Sequence, residues 1–249
     1  EIDLAPLAGD RGGVPRVLHR DLTGDGIPEL LVAHRDEGRF DLFLGGTDLT
    51  EPARSFALGG RAHEPWVEDL DGDGRPDLVL PVSPVVTPVA ALRLVATGVS
   101  TQDCHIFLNT GAGKDAETGE PRCPYREKPD LVREFPVKIR MQVDGAGGIR
   151  TTRTLLVEFR GEFTGDGRRD LVRVQGGDRV VFHAGTAEGI YREDAWLRVG
   201  IPDTSGVERL ESEVLDLDGD GRDDLLIEYR TRDRKSDRLV LLLSRGGKK

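Results

Sequence analysis

Apolar residues in this chain fall into short alternating runs separated by Gly, Asp and Pro. Val14–His19, Pro65–Glu68, Thr154–Phe159 and Glu213–Leu215 each lead into an acidic, glycine-containing loop. Each loop is followed at once by a second run, at Leu30–Ala33, Leu78–Leu80, Leu171–Val174 and Leu225–Tyr229. A third run follows a turn, at Phe40–Leu44, His105–Leu108, Arg179–Phe182 and Arg238–Leu243. Three of the copies continue into a fourth, at Ser55–Leu58, Val132–Met141 and Tyr191–Val199. Runs this short, bounded by turn residues, predict strands and not helices. The unit is four-stranded and about 50 to 60 residues long, the size of a propeller blade.

The loops themselves repeat. Asp21-Leu-Thr-Gly-Asp-Gly-Ile-Pro-Glu29 is followed by Asp69-Leu-Asp-Gly-Asp-Gly-Arg-Pro-Asp77, Glu162-Phe-Thr-Gly-Asp-Gly-Arg-Arg-Asp170 and Asp216-Leu-Asp-Gly-Asp-Gly-Arg-Asp-Asp224. Successive copies start 48, 93 and 54 residues apart. The expected fold is therefore all-β: one propeller domain over residues 1–249 of four-stranded antiparallel blades, with the loops between first and second strands. Repeats are expected at about 14–60, 63–142, 152–200 and 208–244. The second carries a Pro/Val/Ala-rich insert at 81–100. Four blades are expected; a fifth fits between Asp130 and Thr154, where Val137–Val143 and Thr151–Val157 are strand-like. The fourth copy lacks its last strand, and the strand-like segment Glu1–Leu7 is expected to complete it, since closure removes an unpaired edge. A frayed end is the alternative.

Carboxylates at alternate positions of a tightly curled loop can converge on one point, and glycines at positions 4 and 6 permit the curl. Hard divalent cations take oxygen ligands. Calcium accepts six to eight of them, whereas magnesium retains water and rarely takes a full protein cage. Position 7 varies (Ile27, Arg75, Arg168, Arg222), as expected where a backbone carbonyl is the ligand. An EF-hand would need a glutamate at position 12, where Val32, Leu80, Arg173 and Ile227 stand instead.

The motif Asp-x-Asp-Gly-Asp-Gly-x-x-Asp-Leu between two strands, with an Ile-Phe-Leu-Asn-Thr-Gly third strand, resembles the FG-GAP/VCBS repeat. That repeat forms the calcium-binding blades of integrin alpha-subunit propellers and of many secreted bacterial proteins. The resemblance runs from about Val14 to Leu243. It implies two to four Ca²⁺ ions. Their ligands would be Asp69, Asp71, Asp73, the Arg75 carbonyl and Asp77 in the second loop, and Asp216, Asp218, Asp220, the Arg222 carbonyl and Asp224 in the fourth. The first loop would use Asp21, Thr23, Asp25, the Ile27 carbonyl and Glu29; the third, Glu162, Thr164, Asp166, the Arg168 carbonyl and Asp170. Thr23 and Thr164 each replace a carboxylate, and Arg168 and Arg169 add positive charge, so affinity should fall from the second and fourth loops to the first, and then to the third. The resemblance also implies an extracellular, cell-surface or periplasmic location, any signal peptide having been removed. It further implies an interaction or adhesion role with a protein partner, a glycan being second choice.

Cys104 and Cys123 are the only cysteines, and in an oxidising compartment a disulfide between them is expected over two buried thiols. The histidines (His19, His34, His63, His105, His183) are dispersed and are expected at strand surfaces or edges. No zinc motif, nucleophile elbow or phosphate-binding glycine loop occurs. A non-catalytic scaffold is therefore expected. The alternative is a polysaccharide lyase or hydrolase, or a non-catalytic module of a larger protein of that kind, with carboxylates converging outside the loops.

Charge fits the same picture. The net charge is −10, yet 14 of the 45 acidic residues are candidate ligand carboxylates in the four loops, and without them the remainder carries +4. Nucleic-acid binding, which needs basic stripes, is not expected. Nor is a membrane-spanning helix, since the most apolar stretch, Leu78–Val99, is broken by Pro81, Pro84 and Pro88.

Overall fold

The computed structural model describes residues 16–47, 49–111, 113, 122–143, 149–154, 157–187, 191–204, 207–231 and 236–245. Its strands build four antiparallel sheets. The first is a meander of β1 (Arg16–Arg20), β2 (Glu29–His34), β3 (Arg39–Phe43) and β4 (Arg54–Ala57). The second holds the short strands β5 (Arg61–Ala62) and β6 (Trp66–Glu68), both paired to β7 (Asp77–Ser83). It continues through β8 (Val99–Phe107) and β9 (Leu131–Val143) to β10 (Ile149–Thr154). The third orders β11 (Val157–Gly161), β12 (Asp170–Gln175), β13 (Arg179–His183) and β14 (Leu197–Gly200). The fourth has β15 (Val207–Leu215), β16 (Asp224–Thr231) and β17 (Arg238–Leu242).

Each acidic loop joins the first and second strands of a repeat: β1–β2, β6–β7, β11–β12 and β15–β16. The second strands are the most buried. Every residue of β2 is buried, and the first six of β7, as their unbroken apolar runs require of strands covered on both faces. In β16 burial alternates beyond Leu225, so Leu226 and Glu228 are only half-buried while Ile227 and Tyr229 are buried. Among the described residues β17 pairs only with β16, and Leu239 and Leu241 are exposed along it. Glu1–Leu7, expected to cover that edge, lies outside the described residues, as does most of the loop between Cys104 and Cys123.

The chain clusters into two compact units. One comprises Glu1–Asp69, Gly74–Thr87 and Thr101–Phe135; the other, Leu70–Asp73, Pro88–Ser100 and Pro136–Lys249. The core of the first includes Leu31, Phe40, Leu42, Phe56, Leu78, Leu80 and Phe107. Phe56 and Phe107 meet edge to face, centroids 4.6 Å apart. Tyr125 closes this core and its hydroxyl donates to the Pro76 carbonyl at 2.7 Å. Burial, then the nearby Asp77 carboxylate, pushes its phenol well above the usual range. The second core gathers Phe163, Val172, Val180, Phe182, Leu225, Ile227 and Tyr229.

Three expectations need correction. The expectation of strands without helices fails in the insert at 81–100: β7 runs to Ser83, and a helix, α1 (Pro88–Thr97), precedes β8. Proline suits a first helical position, and Gly98, at φ 66°, ends the helix by donating to the Leu94 carbonyl at 2.7 Å. No residue of α1 is buried. No disulfide joins Cys104, which lies in β8, and Cys123, which lies in the chain ahead of β9. The Gln102 amide approaches the Cys104 sulfur at 3.9 Å, and the Cys123 thiol faces the Tyr125 carbonyl at 3.7 Å. The strands between Asp130 and Thr154 form no fifth sheet among the described residues, because β9 and β10 pair as a hairpin at the end of the second.

Truncating Phe56 to Ala should cost about 3–5 kcal/mol through the cavity it leaves. Urea unfolding followed by tryptophan fluorescence measures this, and an unchanged midpoint would contradict the packing described.

Candidate metal centre

The loops curl as their glycines predict. Position-4 glycines (Gly24, Gly72, Gly165, Gly219) have φ between 75° and 80°, and position-6 glycines (Gly26, Gly74, Gly167, Gly221) between 82° and 84°. Only glycine adopts that backbone without strain. The turn then points loop amides inward at the position-1 carboxylate. Asp21 accepts from the Gly24 and Gly26 amides at 2.7 and 3.0 Å. Asp69 accepts from Gly74 at 2.9 Å, and Asp216 from Gly219 and Gly221 at 2.8 and 3.0 Å. Glu162, one methylene longer, accepts from Gly165 and from Asp166, the latter at 3.0 Å.

Position 9 behaves differently. Glu29, Asp77, Asp170 and Asp224 are buried at the starts of β2, β7, β12 and β16. Each accepts a backbone N–H from the residue two places beyond the third strand: Gly45 at 3.3 Å, Asn109 at 2.7 Å, Gly185 at 2.9 Å and Ser244 at 2.8 Å. Glu29, Asp170 and Asp224 also accept from the loop head. Glu29 takes Leu22 and Thr23 at 2.5 and 3.1 Å, Asp170 takes Phe163 and Thr164 at 2.8 and 3.0 Å, and Asp224 takes Leu217 at 2.9 Å. Charge-assisted bonds of this kind are the strong ones. For Asp170, burial still outweighs its three amide donors and raises the carboxyl above its ordinary range. At Gly185 the approach is so close that a Cβ would lie 2.2 Å from the Arg169 carbonyl oxygen.

In the second loop Asp69, Asp71 and Asp77 each offer a carboxylate oxygen, and these atoms lie within 4.8 Å of one another. Asp216, Asp218 and Asp224 do the same in the fourth. An all-oxygen set closing on one point fits a hard cation. The position-5 residues Asp73 and Asp220 stand outside these groups. Asp220 accepts the Arg222 amide at 3.0 Å, as Asp25 accepts Ile27 at 2.8 Å and Asp166 accepts Arg168 at 3.0 Å. In the first loop Thr23 brings its hydroxyl to 3.5 Å from Glu29, and in the third Thr164 stands 3.3 Å from Glu162. Arg168 pairs with Asp166 at 3.3 Å, a protein cation on one of the proposed ligands. The other position-7 side chains turn elsewhere: Arg75 donates to the Asn109 carbonyl at 3.0 Å, and Ile27 is exposed.

The histidines are less superficial than expected. His34 is buried 2.8 Å from Asp41, which also accepts from Ser55 at 2.7 Å. Asp41 thus faces the imidazole with one carboxylate oxygen and the serine hydroxyl with the other. His183 is buried too, bonded to the Arg192 carbonyl at 2.9 Å, while its other nitrogen accepts from Arg173 at 3.3 Å. Burial lowers the His105 pKa, which Asp103 partly opposes. On the fourth sheet Glu211, Glu213, Glu228, Arg230 and Leu239 line a concavity of about 470 Å³. Glu211 and Glu228 are each paired there with Arg230 at 3.0 Å.

Two roles within one loop predict two phenotypes. Without divalent cations, Asp224→Ala should lower stability by about 3 kcal/mol through loss of its bonds to Leu217 and Ser244. Asp218→Asn should lower it by under about 0.5 kcal/mol, as for a surface change. Chemical denaturation in chelator checks both.

No curated protein sequence matches the chain. Residues 21–80, which hold the first two loops, match the family model of the FG-GAP-like repeat.

Proposed function

We propose that this chain is a calcium-stabilised repeat module whose antiparallel sheets are blades of a four-bladed propeller, serving as a non-catalytic interaction scaffold. The convergence of three carboxylates within 4.8 Å in the second and fourth loops carries the reading. Such groups repel one another until a cation neutralises them. Asp69, Asp71, Asp77 and Asp216, Asp218, Asp224 would hold the ions most firmly, with Asp73, Asp220 and the Arg75 and Arg222 carbonyls completing the shells. Asp21, Thr23, Asp25 and Glu29 would form a weaker site. Glu162, Thr164, Asp166 and Asp170 would form the weakest, because Arg168 competes for Asp166.

The propeller reading is supported by the shared strand order of the repeats, their length, and the FG-GAP-like match over 21–80. FG-GAP-like repeats are typical of extracellular proteins, and no described helix is long and apolar enough to cross a membrane. That setting supports an extracellular role, for which a protein partner is our first reading and a glycan the second. The scaffold reading is favoured over a lyase or hydrolase by the ion pairing of the glutamates in the fourth-sheet concavity. Four bound calcium ions would bring the net charge from −10 to −2.

Because binding is linked to folding, calcium should raise the melting temperature. The gain is about 2.7 kcal/mol per site when free calcium stands a hundredfold above Kd. Magnesium at equal concentration should give much less. Scanning calorimetry in calcium, magnesium and chelator decides it; identical melting in calcium and chelator would sink the proposal.

A further inference from the structure

Loops of adjacent repeats touch through two specific residues. Asn109, just beyond β8, is buried. Its backbone N–H donates to Asp77, the position-9 carboxylate of the second loop, at 2.7 Å. Its side-chain amide donates to the Leu22 carbonyl of the first loop at 2.8 Å and to the Pro76 carbonyl at 3.1 Å. Leu22 in turn donates its N–H to Glu29, the position-9 carboxylate of the first loop, at 2.5 Å. A buried hydrogen-bonded relay thus runs Asp77–Asn109–Leu22–Glu29, from one candidate ligand to another.

An equivalent joint exists between the third and fourth loops. Asp223 precedes the candidate ligand Asp224 in sequence. It accepts the Glu162 N–H at 2.8 Å and donates its own N–H to the Glu162 carbonyl at 2.9 Å. Arg169 of the third loop adds an ion pair to the Asp223 carboxylate at 3.3 Å. The Arg222 guanidinium lies against Gly165, where a Cβ would come within 2.7 Å of it. In both cases the head of a loop with three candidate carboxylate ligands is joined to the tail of a loop with four.

We infer that Asn109 and Asp223 are positioning residues that couple the loops in pairs, so that a cation in the second loop raises affinity in the first, and one in the fourth raises affinity in the third. The inference rests on the calcium reading above. Filling the strong loop orders its remaining carboxylates around the already-held Asp77 or Asp224, and the joint transmits that order to the backbone of the weak loop. The weak loop then loses less freedom when its own ion binds. Linkage makes the effect reciprocal within each pair.

The test uses the full chain, calcium alone as ligand, and the backbone amides of Gly26 and Gly167 as NMR reporters of the first and third loops. Disabling the second loop with Asp71→Asn plus Asp73→Asn should raise the calcium midpoint at Gly26 about tenfold. In an Asn109→Ala background the same pair of substitutions should leave that midpoint unchanged. Asn109→Asp, equal in size but setting oxygen against the Leu22 carbonyl, is read alongside in case the alanine variant fails to fold. Asp218→Asn plus Asp220→Asn, read at Gly167 with and without Asp223→Ala, repeats the cycle independently. Calcium binding with no shift in the wild-type background, or with equal shifts in both backgrounds, overturns the coupling and leaves the calcium reading standing. No calcium response at any loop overturns both.

Discussion

A buried carboxylate at the end of each acidic loop organises this protein. Glu29, Asp77, Asp170 and Asp224 open the second strand of their repeats and reach the backbone just past the third. Each fastens the close of the β-meander to its beginning. Burying an ion is costly unless its lone pairs are occupied. Here backbone amides occupy them, so the charge is tolerated where the strands are otherwise apolar on both faces. The cores built on Phe56 and Phe107, and on Phe163 and Phe182, pack around strands whose ends are already held.

The loop acids thus divide by depth. Position 9 is buried within the fold, while position 5 lies at the exposed tip and position 3 is half-buried or exposed. Position 1 orders the glycine amides and also faces position 3. This division lets one short motif both shape a turn and bring carboxylates together. It also explains why replacement of Asp by Thr at position 3 leaves the turn geometry of Thr23 and Thr164 intact. The glycine φ values hardly differ among the four copies.

Much of this was legible in the chain. The run Leu30–Ala33 became the centre of β2, and Leu171–Val174 of β12, because apolar runs between Asp-Gly turns have few other solutions. The loops were legible because ligand chemistry and turn chemistry use the same residues. α1 was missed although Pro88 and Gly98 mark its ends; proline and valine around it read as strand-breaking insert, and its exposure leaves no amphipathic stripe to detect. The roles of His34 and His183 were hidden because burial depends on cross-strand partners, Asp41 and Arg173, brought close only by register. The partners of position 9 were hidden for a related reason. Gly45, Asn109, Gly185 and Ser244 share a place in the fold but not a side chain, and they act through the backbone.

The last described strand sets a different kind of limit. β17 offers one backbone edge without a neighbour among the described residues, beside the exposed Leu239 and Leu241. Such an edge is a template for another chain's strand. Folding stability is decided in the two cores and at the loop carboxylates. Wherever such an edge is left open, β-pairing between molecules competes with the solvation of a single row of amides.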